Sequence, residues 1–337
     1  MDILCPIASG SGAYLVHQML AERLRGYRVC TYHPYWTLLP PALFFKCRAG
    51  QYPDLIHTAA DYAAFFSNRK SKHVITFHSF VWDRETQQYS TPLQRLHHQS
   101  DLRLFVIKAL KIADMVTTVS DFTSDLIKRE FQYQKPVKII RNGIDTSVFK
   151  PLSRVEKNDV RVLFSGNLTK RKGAHFLPQI AQKLDRQISL TYTGGLKNNN
   201  FFKSQDNLIN LGHTPYSKMA EVYQKSDILV FPSVREGFGL AIAEAMACGL
   251  PVVASNCSSI PELVEHRLGG YLCGVGDIDD FAEKINVLAG NPELRKRMGD
   301  YNRKRAERLF SIGRMVDEYR ELFENILGLQ HTLTIRK

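Results

Sequence analysis

Asp227–Ser255 reads DILVFPSVREGFGLAIAEAMACGLPVVAS. Ile228–Phe231 is an uninterrupted apolar run, the pattern of a strand buried on both faces of a parallel sheet. Pro232 and Ser233 end it. Gly237 and Gly239 then permit a sharp turn and let backbone N–H groups approach a ligand that a Cβ would keep away. Leu240–Cys248 is rich in helix formers and is stopped by Gly249, with Pro251 two residues on. Val252–Ser255 opens the next strand. The same alternation of short apolar runs and amphipathic segments continues through the chain, which predicts an α/β protein built on parallel sheets.

A helix N-terminus with unpaired N–H groups and a partial positive charge suits a phosphate. Glu236 lies just before this helix and Glu244 about one and a half turns inside it. Two acceptors flanking an anion pocket fit a sugar carried on a nucleotide diphosphate, one for sugar hydroxyls and one for the ribose diol. The plainer alternative is a surface glutamate before a turn and a second on a solvated helix face.

Composition narrows the classes. The apolar fraction of 44% over 337 residues supports sizeable cores. No stretch approaches the roughly eighteen apolar residues of a spanning helix. The opening MDILCPIAS lacks a basic segment followed by a long apolar one, so no secretory signal is expected. The six cysteines form neither a CxxC pair nor a disulfide-framework spacing. Cys5 and Cys248 read as small core residues, and a reducing cytoplasm is the expected setting. The net charge of +12, spread over both halves, attracts anionic partners. Without a nucleic-acid motif, nucleic acid is not expected among them.

Strands are predicted at Asp2–Ile7, Arg28–Tyr32, Leu55–Thr58, His73–Phe77, Met115–Val119 and Val137–Ile140 in the first half. In the second they are predicted at Val160–Ser165, Ser189–Thr193, Leu208–Leu211, Ile228–Phe231 and Pro251–Ala254. Pro151 and the polar run Ser153–Asp159 mark the join, giving domains at 1–151 and 152–310 and a helical tail at 311–337. Asn198–Asn200 marks a loop.

The pattern E-G-F-G-L-x(3)-E-A-M-A-x-G-x-P-V-V-A in the opening stretch closely resembles the signature of the retaining glycosyltransferases of the family-four (group 1) type. The resemblance is strongest over residues 160–275. It implies the GT-B architecture, two Rossmann-like parallel-sheet domains facing across a cleft, with the final helix crossing back to the first domain. It implies a retaining, metal-independent hexosyl transfer from a UDP- or GDP-linked sugar to a saccharide or lipid-linked acceptor hydroxyl, in cell-surface polysaccharide or glycolipid synthesis. No cofactor and no metal ligand set are expected; the sequence shows no DxD-like pair or His cluster at a strand end.

Under this resemblance Glu236 orients sugar hydroxyls, Glu244 holds the ribose, and Gly237, Phe238, Gly239 and Leu240 surround the diphosphate. Phe238 fits core packing equally well. The loop Ser9-Gly10-Ser11-Gly12 is either a plain strand-to-helix turn or an anion cradle, and the family's glycine-rich loop raises Gly10 and Gly12 as donor contacts. His78, in VITFHSF, falls at a strand's C-terminal edge, where ligands of open α/β sheets sit; it matches a histidine that contacts the donor sugar. In FSGNLTKRKGAH, Gly166 ends a strand and Lys172 places a cation on the pyrophosphate. The family pattern G-R-L-x(3)-K-G has arginine where this chain has Asn167, and Arg171 or Lys170 is the candidate replacement. Asn167 also keeps open a non-catalytic partner subunit, and the fold keeps open a nucleotide-sugar epimerase. The basic, partly apolar segment Leu93–Val116 either lies against an anionic membrane's inner face or packs on its own core.

Overall fold

A computed structural model describes residues 1–47, 52–152, 159–194, 202 and 205–329. The polar run Ser153–Asp159, apart from its last residue, and the Asn198–Asn200 loop lie outside the described residues. The chain divides into two compact units. The first holds Met1–Asp83, Ser90–Gly143 and Ile312–Lys337; the second holds Arg84–Tyr89 and Ile144–Ser311.

The first unit carries β1 (Ile3–Ala8), β2 (Tyr27–Tyr32), β3 (Leu55–Ala59), β4 (Lys72–Phe77), β5 (Met115–Thr118) and β6 (Val137–Ile139). They form one six-stranded sheet in the order β2-β1-β3-β4-β5-β6, parallel throughout. The second unit carries β7 (Val160–Phe164), β8 (Ile188–Gly194), β9 (Leu208–His213), β10 (Ile228–Phe231), β11 (Val252–Ser255) and β12 (Gly270–Cys273). Its order is β12-β11-β10-β7-β8-β9, again all parallel. Each sheet thus reverses its strand order once, and a doubly wound sheet offers its ligand crevice at the C-terminal strand ends beside that reversal.

Strand β12 escapes the sequence reading because GYLC is short and shows no alternation. Its position is nevertheless fixed by one atom: a Cβ on Gly270 would lie 1.9 Å from the Val252 carbonyl oxygen of the neighbouring strand. The cysteine reading is corrected as well. Cys30 on β2 and Cys47, just after the helix Leu43–Lys46, are joined in a disulfide with Cα atoms 5.9 Å apart. The sequence spacing of 17 matches no small-domain framework, so the pair could be found only once the chain between them was folded.

Leu93–Val116 divides into an exposed part and a part packed on the core. The helix Pro92–Gln99 buries nothing, and its Leu93 and Leu96 are exposed. The helix Asp101–Ile112 buries Leu102, Val106, Ala109 and Leu110 in the core of the first unit.

The last helix, Ile312–Leu327, belongs to the first unit and buries Met315, Val316, Tyr319, Leu322 and Phe323, an i, i+1, i+4, i+7, i+8 stripe. Phe323 packs on the rings of Tyr27 and His57, 6.3 and 5.3 Å away. The Gly143 N–H lies 3.0 Å from Met315 Sδ. Replacing Phe323 with alanine opens a fully buried cavity and is expected to lower stability by about 3–5 kcal/mol, read as a shifted urea midpoint for the first unit. A shift of only a few tenths of a kcal/mol would show that this helix does not complete that unit's core.

Candidate functional site

Strand β10 ends at Phe231, and the chain turns through Pro232–Gly239 into the helix Leu240–Ala247. Gly239 makes the turn at φ +102°, a left-handed conformation that a side chain would strain. It is the helix N-cap and brings no side-chain acceptor to the first-turn N–H groups. Three serines hold the turn from behind. Ser233 Oγ donates to Glu236 Oε1 at 2.6 Å, Ser258 Oγ accepts from the Glu236 N–H at 3.0 Å, and Ser259 Oγ donates at 3.2 Å to the carbonyls of Glu236 and Phe238.

Lys172 reaches the same carboxylate, with Nζ 2.7 Å from Glu236 Oε1. Its segment is held against the turn by backbone contacts. The Val234 N–H donates to the Arg171 carbonyl at 2.9 Å, and Arg171 Nη1 donates to the Arg235 carbonyl at 2.7 Å. Gly173 permits this approach, because a Cβ there would lie 2.0 Å from the Pro232 carbonyl oxygen. Glu236 is 7% exposed. Burial pushes its carboxyl up, but Lys172 and Arg171 outweigh that, and with the Ser233 bond they hold it below the usual carboxylate range. Both bonds converge on Oε1.

Glu244, on the helix Leu240–Ala247 itself, is 5% exposed. The Tyr223 hydroxyl donates to its Oε2 at 2.8 Å and lies 3.0 Å from Ser165 Oγ at the end of β7. Burial raises the Glu244 carboxyl to about 7, against the smaller opposing bonds from Tyr223 and Tyr216. The two glutamates therefore differ in state at neutral pH: Glu236 is ionised, while Glu244 is poised to exchange a proton.

The structure brings Arg171, Lys172, Glu236 and the Gly237–Leu240 turn together in the second unit. Gly166 follows β7, and Asn167 beside it is exposed. Phe238 is buried, edge-on to Phe310 at 5.6 Å. In the first unit Gly10 turns at φ +80° between β1 and the helix Gly12–Ala21. Ser11 Oγ accepts from the Tyr14 N–H at 3.0 Å, satisfying one donor that an anion cradle would use. His78 follows β4 and, with Ser11, lines a cavity of about 220 Å³ that also contains Asp61 and Tyr62. Ser233, Ser258, Ser259 and Tyr223 were not legible as site residues. Ser233 stood next to the motif, but nothing local marks serines after β11 or a tyrosine on an earlier helix.

The chain matches two family models: the glycosyl transferases group 1 model over residues 146–305 and the glycosyltransferase family 4 model over residues 2–148. It is 28% identical over 222 residues to an uncharacterized glycosyltransferase of Haemophilus influenzae, covering 63% of this chain and 62% of that one. It is 27% identical over 265 residues to the N-acetyl-α-D-glucosaminyl L-malate synthase of Bacillus anthracis, covering 72% and 68%. The chain thus spans about two thirds of the length of these relatives. Among solved structures it is similar to Anabaena HepE in complex with UDP-glucose, at TM-score 0.77 and 20% identity over 96% of this chain and 100% of that one. Two parallel six-stranded sheets, the glycine-capped helix after β10 and two family models that together run from residue 2 to residue 305 have one consequence: the chain belongs to the group 1 glycosyltransferases, with the GT-B fold.

Proposed function

We propose that this chain moves a hexosyl group from a nucleotide diphosphate sugar to an acceptor hydroxyl, with retention at the anomeric carbon and without a metal ion. The observation that carries the reading is the convergence of Lys172 and Arg171 on Glu236, in the turn that leads into the helix left uncapped at Gly239. As the bond between C1 and the phosphate oxygen breaks, negative charge grows on the departing diphosphate. Lys172 Nζ has three protons, one of them on Glu236, and the others are placed to meet that charge. The Leu240 end of the helix adds backbone N–H groups, fixed in advance by the serines. Glu236, ionised and anchored at Oε1, offers Oε2 to sugar hydroxyls. Glu244 takes the ribose diol, and His78 a hexose hydroxyl. The acceptor oxygen bonds C1 on the face the phosphate leaves, and its proton passes to the phosphate oxygen. Glu236, already bonded to Lys172 and Ser233, is a poor nucleophile, which favours this front-face route. The Anabaena relative, in complex with UDP-glucose, supports a UDP-linked donor.

An anionic membrane is the proposed setting of the acceptor. Besides Leu93 and Leu96, the segment Tyr35–Phe45 exposes Leu38 (80%), Leu39 and Phe45 (72%). Tyr62 ties the two regions into one face of the first unit: its hydroxyl pairs with Thr37 and lies 3.3 Å from His97 Nε2. Lys46, Arg95 and Lys108 are exposed on these same segments. Leucines and aromatics mixed with cations suit an interface with acidic headgroups.

Lys172→Ala is expected to lower kcat/KM for transfer by about 10²–10³, while the wild type keeps its rate in EDTA; loss of activity in EDTA, or a covalent glycosyl–Glu236 adduct by mass spectrometry, would overturn the mechanism. Ribose hydroxyls donating to Glu244 favour its ionised form, so nucleotide binding releases a proton. Affinity measured by calorimetry should therefore rise from pH 6 to 8 and be flat in Glu244→Gln. The raised carboxyl also means that stability falls as pH climbs from the ordinary carboxyl range to about 7; the same substitution should remove that slope from the melting temperature. For the membrane reading, the protein should float with vesicles containing phosphatidylglycerol and not with phosphatidylcholine alone. Leu38→Glu with Phe45→Glu should abolish flotation, and unchanged flotation would reject this face.

A further inference from the structure

Behind His78 the first unit buries a continuous run of polar side chains where a sheet and its helices ordinarily share an apolar core. His78 Nε2 lies 3.0 Å from His17 Nε2. His17 Nδ1 lies 2.6 Å from the Tyr27 hydroxyl, which is 2.7 Å from His57 Nδ1. His57 Nε2 lies 2.7 Å from Thr76 Oγ1, and that oxygen is 2.5 Å from Thr117 Oγ1 and 3.3 Å from the Tyr319 hydroxyl. The members come from the helix Gly12–Ala21, from β2, β3, β4 and β5, and from the last helix. All but His78 are buried. At the other end, His78 Nδ1 is buried without a hydrogen-bond partner among the described residues.

A neutral imidazole has one N–H and one lone pair, and a hydroxyl donates once. These counts link the members. If His78 donates from Nε2, His17 must accept at Nε2 and donate from Nδ1; Tyr27 can then donate to His57 Nδ1, with His57 donating from Nε2 to Thr76. The reverse polarity starts at Thr76 and leaves His78 with its proton on Nδ1. Of the eight tautomer combinations that three neutral histidines allow, three make every bond: these two, and a third in which Tyr27 accepts from both His17 and His57 and turns its own proton to Cys5, its other side-chain partner; in all three His78 and His17 carry their protons on opposite nitrogens. Burial holds all three imidazoles well toward the neutral form, His78 down to about 4. A break anywhere leaves a buried donor or acceptor unpaired, which is costly in a low-dielectric core.

We propose that this chain is a positioning device: His17, Tyr27, His57 and Thr76 hold the His78 ring and couple the proton position on its unpaired Nδ1, and so whether that nitrogen donates or accepts a hydrogen bond, to the proton on His17. The proposal rests on the reading of His78 as a sugar contact. It predicts that the hydrogen-bonding role of His78 toward a hexose hydroxyl depends on a tyrosine on β2 and on a threonine two residues before His78, on β4. His78 would then present one defined hydrogen-bonding atom and no charge.

The test uses the full chain labelled with ¹⁵N-histidine and long-range proton–nitrogen correlation spectra, which report the tautomer of each ring. The expected result is an ε, δ, ε, a δ, ε, δ or an ε, δ, δ pattern for His78, His17 and His57. Any other pattern, or a cationic ring at pH 7, overturns the proposal. Tyr27→Phe removes the central oxygen and should turn His78 into a mixture of tautomers, with kcat lower by about tenfold and the donor KM within about twofold of wild type. Thr76→Val, isosteric and at the far end, should do the same to a smaller degree, and it stands in if Tyr27→Phe does not fold. A lower melting temperature with unchanged kcat and an unchanged His78 spectrum would make the chain merely structural. His78→Ala separates the layers. If it leaves transfer intact, the sugar-contact reading fails. If it lowers transfer while Tyr27→Phe and Thr76→Val do not, only the positioning proposal fails.

Discussion

The second unit is organised around the ion pair between Lys172 and Glu236. A buried carboxylate is expensive to desolvate, and pairing it with lysine seldom gains much over an apolar pair of the same size. Its value here is geometric. Glu236 follows β10 and Lys172 follows β7, neighbouring strands of one sheet, so the pair ties two loops at the C-terminal strand ends. The features around it serve the same closure. Gly173 lets the Lys172 loop meet Pro232, Arg171 bonds back to the Arg235 carbonyl, and three serines satisfy the turn between them. Remove the pair and the turn before the Gly239-capped helix loses the contact that orients it.

The two units meet the cost of buried polarity by opposite means. In the second, a charged carboxylate is stabilised by two cations and a hydroxyl, a solution that keeps Glu236 ionised. In the first, the run from His78 to Thr117 contains no carboxylate and no fixed cation; it is neutral and pays nothing for ionisation, and its order comes from donor–acceptor counting alone. Glu244 lies between these cases. Tyr223 and Tyr216 are its partners, and neither supplies positive charge, so burial prevails and its proton is held loosely near neutral pH.

How far the sequence could be read follows from the range of each interaction. The central strands, such as β10, were visible because parallel strands buried on both faces are unbroken apolar runs, and the Gly237–Gly239 turn was visible because backbone conformation selects its residue locally. The Lys172 segment could be placed beside it only through the family resemblance. Partners from distant strands were hidden. Nothing in SSIPELV indicates that Ser258 and Ser259 will hold a turn some twenty residues earlier, and His17, in a helix that reads as amphipathic, gives no sign of facing His78. The Cys30–Cys47 disulfide belongs to the same class, since its closure depends on the fold of the Pro34–Lys46 segment. Phe238 could not be assigned because an aromatic after a glycine suits a core and a pocket equally, and its contact with Phe310 comes from the far end of the second unit.

The departure at Asn167 bears on how the proposed reaction would manage charge. Asn167 is exposed and neutral, so it brings no cation to a diphosphate. Arg171 is the nearest replacement, but one of its terminal nitrogens is already committed to the Arg235 carbonyl, and a guanidinium tied at one edge cannot present a full bidentate fork to phosphate. It still acts at a distance, helping to keep Glu236 ionised. Lys172 therefore carries most of the mobile positive charge, and it shares that charge with Glu236. On this reading the backbone N–H groups at Gly239–Leu240 take a larger part in holding the leaving diphosphate than they would beside two free cations. Backbone dipoles are rigid and need no reorganisation as charge develops, whereas a shared lysine must loosen its bond to Glu236 to follow the phosphate. The same carboxylate that fixes the turn thus sets the strength of the principal cation, and structure and chemistry here depend on one contact.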